Sequence, residues 1–330
     1  MYLQYKTNST WIVSELMSDI VAIFTGTTNV ASLSASCDKV NTQILANTIS
    51  SNWTVYDPMV GDVDYTKVLS APDYAGATTK YLKIRWRTNY GPSFVSYTSW
   101  NNSTHTGTDA TYETQLAGGN TPNMVTTSAL VLYILVSTEY FHIIPYQNGS
   151  MLAITHGNEL VRDAGFTDYL NNANSKCNFM QGYAQSGGGG SMYSYIPRCK
   201  NPVASGEIAN STIGILYLAG CSYSGSSITG YAPTYAHQNI NNINPGLVVY
   251  PAYAAIQTGY YSSGSLYSKV KSLYILGSTS APSISILDEI IIGGVTYVAV
   301  MYSHNHFYEY YNGFIVAGPG PLPLVLVPKG

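Results

Sequence analysis

The sequence predicts a mainly β protein of antiparallel, sandwich-like sheets, with one N-terminal amphipathic helix and long loops. Only one stretch has helical hydrophobic spacing, whereas later apolar runs alternate with period two or are short and bounded by turn residues. Tyrosine dominates the aromatics, 31 among 330 residues, and aromatic rings suit a pleated surface. Asn-Gly and Gly-Gly turns join neighbouring runs, which makes antiparallel pairing the natural connection.

The helix comes first. In "STWIVSELMSDIVAIFTG" the residues Trp11, Ile12, Leu16, Ile20, Ile23 and Phe24 fall near one face, opened by Ser9 or Thr10 as N-cap and closed by Gly26. The period then changes to two. "QILANTISSNWTVYD" and "TKVLSAP" read as strands. In "KYLKIRWRT", Leu82, Ile84 and Trp86 alternate with Tyr81, Lys83, Arg85 and Arg87, which predicts a half-buried strand with its basic residues outward. Residues 91–128, dense in Gly, Ser, Thr and Asn, suit a long surface excursion or irregular hairpins.

"LVLYILVS", "YFHIIPY" and "SMLAITHGNELV" follow as short strands between 129 and 162, with Gln147 to Ser150 as a turn. Residues 163–245 carry little periodic signal and read as an irregular insertion. Within it "SGGGGS", Ser186 to Ser191, is a flexible loop tip, and "TIGILYLAG" is a strand. "GLVVYPAYAAI" and "VKSLYILGS" are two more. The clearest hairpin is "DEIIIGGVTYVAVMYS", with Gly293 and Gly294 between Ile290 to Ile292 and Val295 to Val300. Two regions are expected: 1–128, with the helix and first strands, and 129–330, with the sandwich-like strands, the insertion and a C-terminal arm, 318–330.

Composition narrows the function. Charged residues are 9%, against about a quarter in ordinary domains, so the surface is polar but weakly charged. Lys plus Arg total 14 against 17 acids, for a net charge of −3, which argues against nucleic acid as the main partner. The most apolar run, Ala129 to Tyr146, contains Glu139 and His142 and reads as strands, so no membrane insertion is expected. The opening residues have neither the basic nor the apolar region of a secretory signal. Cys37, Cys177, Cys199 and Cys221 form no Cys-x-x-Cys motif, and buried free thiols are expected.

Candidates for chemistry are few. In "MYSHNHFYEYYNGF", His304 and His306 lie two apart on an extended backbone and could share a metal with Glu309. The alternative is a polar loop whose rings, Tyr308 and Tyr310 among them, cover a neighbouring surface. Asp57, Asp62, Asp64 and Asp73 form a loose acidic cluster without the spacing of a calcium loop, and read as solvated turn residues. His156 with Glu159, Arg162 and Asp163 reads as a salt-bridged turn. Asp288 and Glu289 read as charges that protect a sheet edge. No nucleophile elbow, phosphate loop or dinucleotide fingerprint occurs, so no enzyme and no cofactor are expected.

A resemblance extends these readings. "SELMSDIVAIFTG", "SLSASCDKVNTQILANTISSNWTVYD", "TKVLSAP" and "KYLKIRW" resemble the N-terminal part of virion structural proteins of large tailed bacteriophages. "DEIIIGGVTYVAVMYS" is similar to a terminal hairpin of phage tail and neck proteins. The resemblance is strongest over about residues 9–90 and 284–317. It implies a non-enzymatic tail, baseplate or neck component, assembled into virions in the host cytoplasm against copies of itself and other virion proteins. Alternatives are a capsid decoration protein, or a receptor-binding module in which Trp53, Trp86 and Trp100 stack on a host-surface glycan. The arm "GPGPLPLVLVPKG" is too apolar to remain in water. Leu322, Leu324, Leu326 and Val327 are expected to dock on a neighbouring subunit, or else on their own chain.

Overall fold

Two antiparallel sheets share one strand-rich interior. The computed structural model describes residues 1–27, 29–46, 53–72, 79–108, 110–111, 113–118, 122–161, 179–184, 193–195, 199–200, 207–208, 215–219, 249–257, 265–276, 284–301 and 324–329. In chain order the first elements are β1 (Tyr2–Lys6), α1 (Val13–Phe24), β2 (Gln43–Ala46), β3 (Thr54–Asp57), β4 (Lys67–Pro72), β5 (Thr79–Arg87) and β6 (Gly91–Tyr97). Next are β7 (Ser99–Asn101), β8 (Thr106–Thr108), β9 (Thr114–Gln115), β10 (Leu130–Val136), β11 (Tyr140–Gln147), β12 (Ser150–Met151) and β13 (Ile154–Val161). Then follow β14 (Phe179–Ala184), β15 (Tyr193–Tyr195), β16 (Cys199–Lys200), β17 (Glu207–Ile208), β18 (Ile215–Ala219) and β19 (Val249–Gln257). The last are β20 (Ser265–Leu276), β21 (Glu289–Ile292), β22 (Val295–Met301) and β23 (Leu324–Pro328).

The larger sheet has 14 strands, in the order β2-β1-β10-β11-β13-β14-β15-β18-β19-β20-β23-β22-β21, with β12 beside β11. Leu160 and Val161, at the end of β13, also pair with Val270 and Lys269 of β20, so the path from β13 through β19 to β20 closes into a ring. The smaller sheet has five strands, β3-β4-β5-β6-β9.

Strand alternation gives the larger sheet a core on each face. On one side Phe141, Ile143 and Phe179 meet Leu16, Ile20 and Phe24 of α1 and Leu82, Ile84 and Phe94 of the smaller sheet. On the other, Tyr140, Ile144, Ile154 and Leu160 meet Val270, Val298, Val300, Val325 and Val327. The Tyr140 hydroxyl donates to the Pro328 carbonyl at 2.7 Å across that second layer. Burial on both faces explains why β10 and β11 read as continuous apolar runs. Each fully enclosed aliphatic or Phe side chain contributes roughly 1.5–3 kcal/mol. Phe141 and Phe179 close over Gly157 so tightly that a Cβ there would lie 2.4 and 2.5 Å from their rings.

Several sequence expectations hold and several need correction. The turns at Asn148–Gly149 and Gly293–Gly294 form, the latter with both residues at positive φ (57° and 82°) as a two-residue hairpin requires. The helix starts later than its expected cap. Ile12 is the N-cap and offers no side-chain bond, so neither Ser9 nor Thr10 caps it. Ser36 does the capping from a distant segment: its Oγ accepts from the Ile12 N–H at 2.8 Å, and its own N–H donates to Glu15 Oε2 at 2.7 Å. Ile12 itself faces water.

Residues 91–128 are not a surface excursion throughout. β6 is buried along its whole length between β5 and β9, and only the β7–β8 hairpin suits the irregular reading. The expected division at residue 128 is crossed by the larger sheet, in which β1 pairs with β10. The insertion 163–245 supplies β14, β15 and β18 to the same sheet, while Ser186 to Ser191 lie outside the described residues. In the C-terminal arm, β23 lies between β20 and β22 of its own chain, with Val325, Leu326 and Val327 fully enclosed. The neighbouring-subunit alternative for Leu326 and Val327 is thereby corrected: these side chains are enclosed inside their own sheet. Cys37 is a buried free thiol, as expected.

Candidate functional site

The most unusual chemistry lies between the two sheets. Alternation along β5 puts Lys80 on the inward parity with Leu82 and Ile84, and alternation along β13 puts Glu159 on the parity of Gly157, facing it. Both side chains are 2% exposed and form an ion pair. Lys80 Nζ also donates to the Thr138 carbonyl, and it lies 5.3 Å from the Trp53 ring centroid and 5.4 Å from that of Phe179. Trp53 is held by its indole N–H, which donates to the Ser137 carbonyl at 2.9 Å. Glu159 Oε1 accepts from Lys80, but Oε2 has no hydrogen-bond partner among the described residues. Burial pushes the Glu159 carboxyl above its ordinary range, and Lys80 recovers only part of that shift. Nearby, Gln181 ties the sheets together, donating to the Phe94 carbonyl at 2.6 Å and to Thr114 Oγ1 at 2.9 Å while accepting from Ser96 Oγ at 2.5 Å.

The opposite face of β13 carries His156 directly across from His142 of β11. Their rings stack with centroids 5.9 Å apart and 17° between planes, and Asn158 Nδ2 lies 3.3 Å from His142 Nε2. Burial holds both imidazoles neutral. His142 is pushed well below 6.5, with the His156 charge adding to the effect, and His156 is pushed down to about 3. The expected salt-bridged turn is therefore corrected: His156 and Glu159 are interior strand residues on opposite faces, while Arg162 and Asp163 lie outside the described residues.

The outer face of the smaller sheet is polar and internally paired. Arg85 makes a two-pronged contact with Glu113 at 2.7 and 2.8 Å, and Arg87 joins at 3.2 Å. Asp57, expected among solvated turn residues, is buried. Its Oδ2 accepts from Trp100 Nε1 at 2.8 Å and pairs with His105 Nδ1 at 2.7 Å, and Oδ1 accepts from the Met59 N–H at 3.0 Å. Burial pushes that carboxyl up, but these three bonds outweigh it and hold it below its ordinary value. Asp62 Oδ1 accepts from the Asp64 N–H at 2.7 Å, a turn role, and Asp73 lies outside the described residues. Among the described residues no cluster of three or more His, Cys, Asp or Glu could hold a metal.

Trp53 and Trp100 are buried, which removes these two rings as a sugar-stacking platform, while Trp86 is half-buried and packs edge-on against Trp11 with centroids 6.0 Å apart. Lys83, Arg85 and Arg87 lie on the outer face of β5 as expected, the two arginines paired with Glu113 and Lys83 Nζ 5.5 Å from the Tyr97 ring centroid. His304, His306, Tyr308, Tyr310 and Leu322 lie outside the described residues. Lys80 was legible as a lysine on the apolar parity of "KYLKIRW", whereas nothing local marks Glu159 as its partner.

Exposed apolar side chains gather at two sheet edges. β3 ends the smaller sheet and shows Val55 (44%) and Tyr56 (39%), followed by exposed Val60 and Val63 in the next loop. β21 ends the larger sheet, and its hairpin with β22 shows Ile291 (65%) and Val295 (44%). Glu289, at the start of β21, pairs with Lys329 at 2.7 Å, so its charge sits beside that edge as expected. Among the described residues no helix is long and apolar enough to cross a membrane. No protein-family model and no curated protein sequence matches the chain.

Proposed function

We propose that this chain is a non-enzymatic structural subunit of a tailed-bacteriophage virion, a tail, baseplate or neck part that contacts copies of itself and other virion proteins. The observation that supports this reading is that β3 and β21, which end their sheets among the described residues, carry apolar side chains into solvent. A strand at a sheet edge is a template for a strand from another chain, and Glu289 with Lys329 flanks the start of β21 but leaves Ile291 and Val295 uncovered. Among the described residues the buried Lys80 and Glu159 are engaged with each other within the chain, which suits a scaffold role. The resemblance of the N-terminal segments and the C-terminal hairpin to phage virion proteins supplies the setting.

The test is quantitative mass spectrometry of purified particles with heads and tails separated. Fixed stoichiometry in the tail fraction is the expected result. Absence from both fractions would end the virion reading.

A further inference from the structure

We infer that Lys80 and Glu159 become joined by a covalent amide, an isopeptide bond from Nζ to Cδ that locks the two sheets together. The two groups are in contact, both 2% exposed, and enclosed by the rings of Trp53 and Phe179. As an ion pair they are poorly served. Two charges withdrawn from water lose much of their hydration, and their mutual attraction repays it only if every remaining lone pair and proton is satisfied. Here Glu159 Oε2 has no donor among the described residues. An amide in water hydrolyses downhill largely because the products ionise and are hydrated; in this enclosure that driving force is removed and the neutral amide is favoured. The upward shift of the Glu159 carboxyl agrees with this, since the acid form is the one that condenses.

The step balances without any co-reactant. A proton passes from the Nζ ammonium to Oε1, the oxygen it already bonds, leaving an amine and a carboxylic acid. The Nζ lone pair attacks Cδ, the Cδ–N bond forms and a second Nζ proton moves to Oε1. The Cδ–Oε1 bond then breaks and that oxygen leaves as water. Oε2 becomes the amide carbonyl, and the one remaining N–H keeps its bond to the Thr138 carbonyl. The product ties β5 to β13, strands of different sheets that are otherwise joined by packing and by hydrogen bonds such as those of Gln181.

The experiment is mass spectrometry of the folded full-length chain, intact and after trypsin. The expected result, after allowance for N-terminal processing, is a mass lighter than the sequence by one water. Trypsin should leave the chain uncut after Lys80 and yield a branched peptide containing Lys80 and Glu159. The Lys80→Arg variant should return to the sequence mass, and this can be read on denatured protein even if the variant folds poorly. A wild-type chain at the full sequence mass with linear peptides ending at Lys80 would overturn the inference, as would a water loss mapped to any other residue.

Discussion

Strand β5 pairs with one carboxylate on each face, Glu159 inside and Glu113 outside, and the two behave oppositely. On the outer face Glu113 receives Arg85, Arg87 and Ser93; burial pushes its carboxyl up, but these bonds and charges prevail and hold it below its ordinary value. On the inner face burial prevails over Lys80 and Glu159 is held above it. The residue types are nearly the same. What differs is access to water and the number of donors, one for Glu159 against several for Glu113. An enclosed charge pair is a constraint on the fold, whereas a half-open one is a modest addition to it.

That contrast ranks perturbations by how completely the altered group is enclosed. The largest effect is expected from deleting residues 318–330, which removes β23 from between β20 and β22. Val325, Leu326 and Val327 at roughly 1.5–3 kcal/mol each amount to much of a typical ~5–15 kcal/mol stability. The truncated chain should lose its cooperative urea transition, and an unchanged transition would contradict the interior placement of this strand.

Next comes Glu159→Ala, which removes the inferred amide and strands the Lys80 charge among aromatic rings; the stranded charge alone should cost about 3–5 kcal/mol. Glu113→Ala should cost about 1 kcal/mol or less, because Arg85 remains 32% exposed to water. Equal midpoint shifts in urea for the two variants would erase the distinction between the faces.

Acid should act through the stacked histidines. Their folded pKa values lie below the ordinary 6.5, so the unfolded chain binds more protons as pH falls. Their contribution to stability is complete above pH 6.5 and declines as pH drops toward about 3, the value for His156. Unfolding midpoints measured across this range should flatten in a His142→Gln/His156→Gln double variant; an unaltered slope would place the acid sensitivity elsewhere.

The smallest effect on the isolated chain is expected from Ile291→Lys at the open edge, within about 0.5 kcal/mol. The same variant should abolish incorporation into particles, because a lysine opposes strand addition at that edge. Normal incorporation would exclude β21 as a contact.

Much of this architecture was legible locally. Leu16, Ile20, Ile23 and Phe24 announce the helix by spacing, Leu82 and Ile84 announce β5 by alternation, and Gly293–Gly294 announces its hairpin by turn chemistry. These signals arise from residues a few positions apart, which the backbone places in fixed relation whatever the rest of the chain does. The interior site was legible only by half, in the wrong-phase Lys80. Its partner lies 79 residues later by sequence number, and the Ser36 cap of α1 comes from a segment beyond the helix itself.

Sequence by itself therefore determined many of the strands, β5, β10, β11, β21 and β22 among them, where the helix runs and that the charge is sparse, but it did not mark β1, β6, β14 or β23. Tertiary structure alone decided that β23 is an inner strand, that His156 is buried and that Lys80 meets Glu159 in an apolar enclosure. Local periodicity says which way a side chain points, but not what waits on that side. Only the pairing of distant strands determines whether a polar group meets water, a partner or a ring.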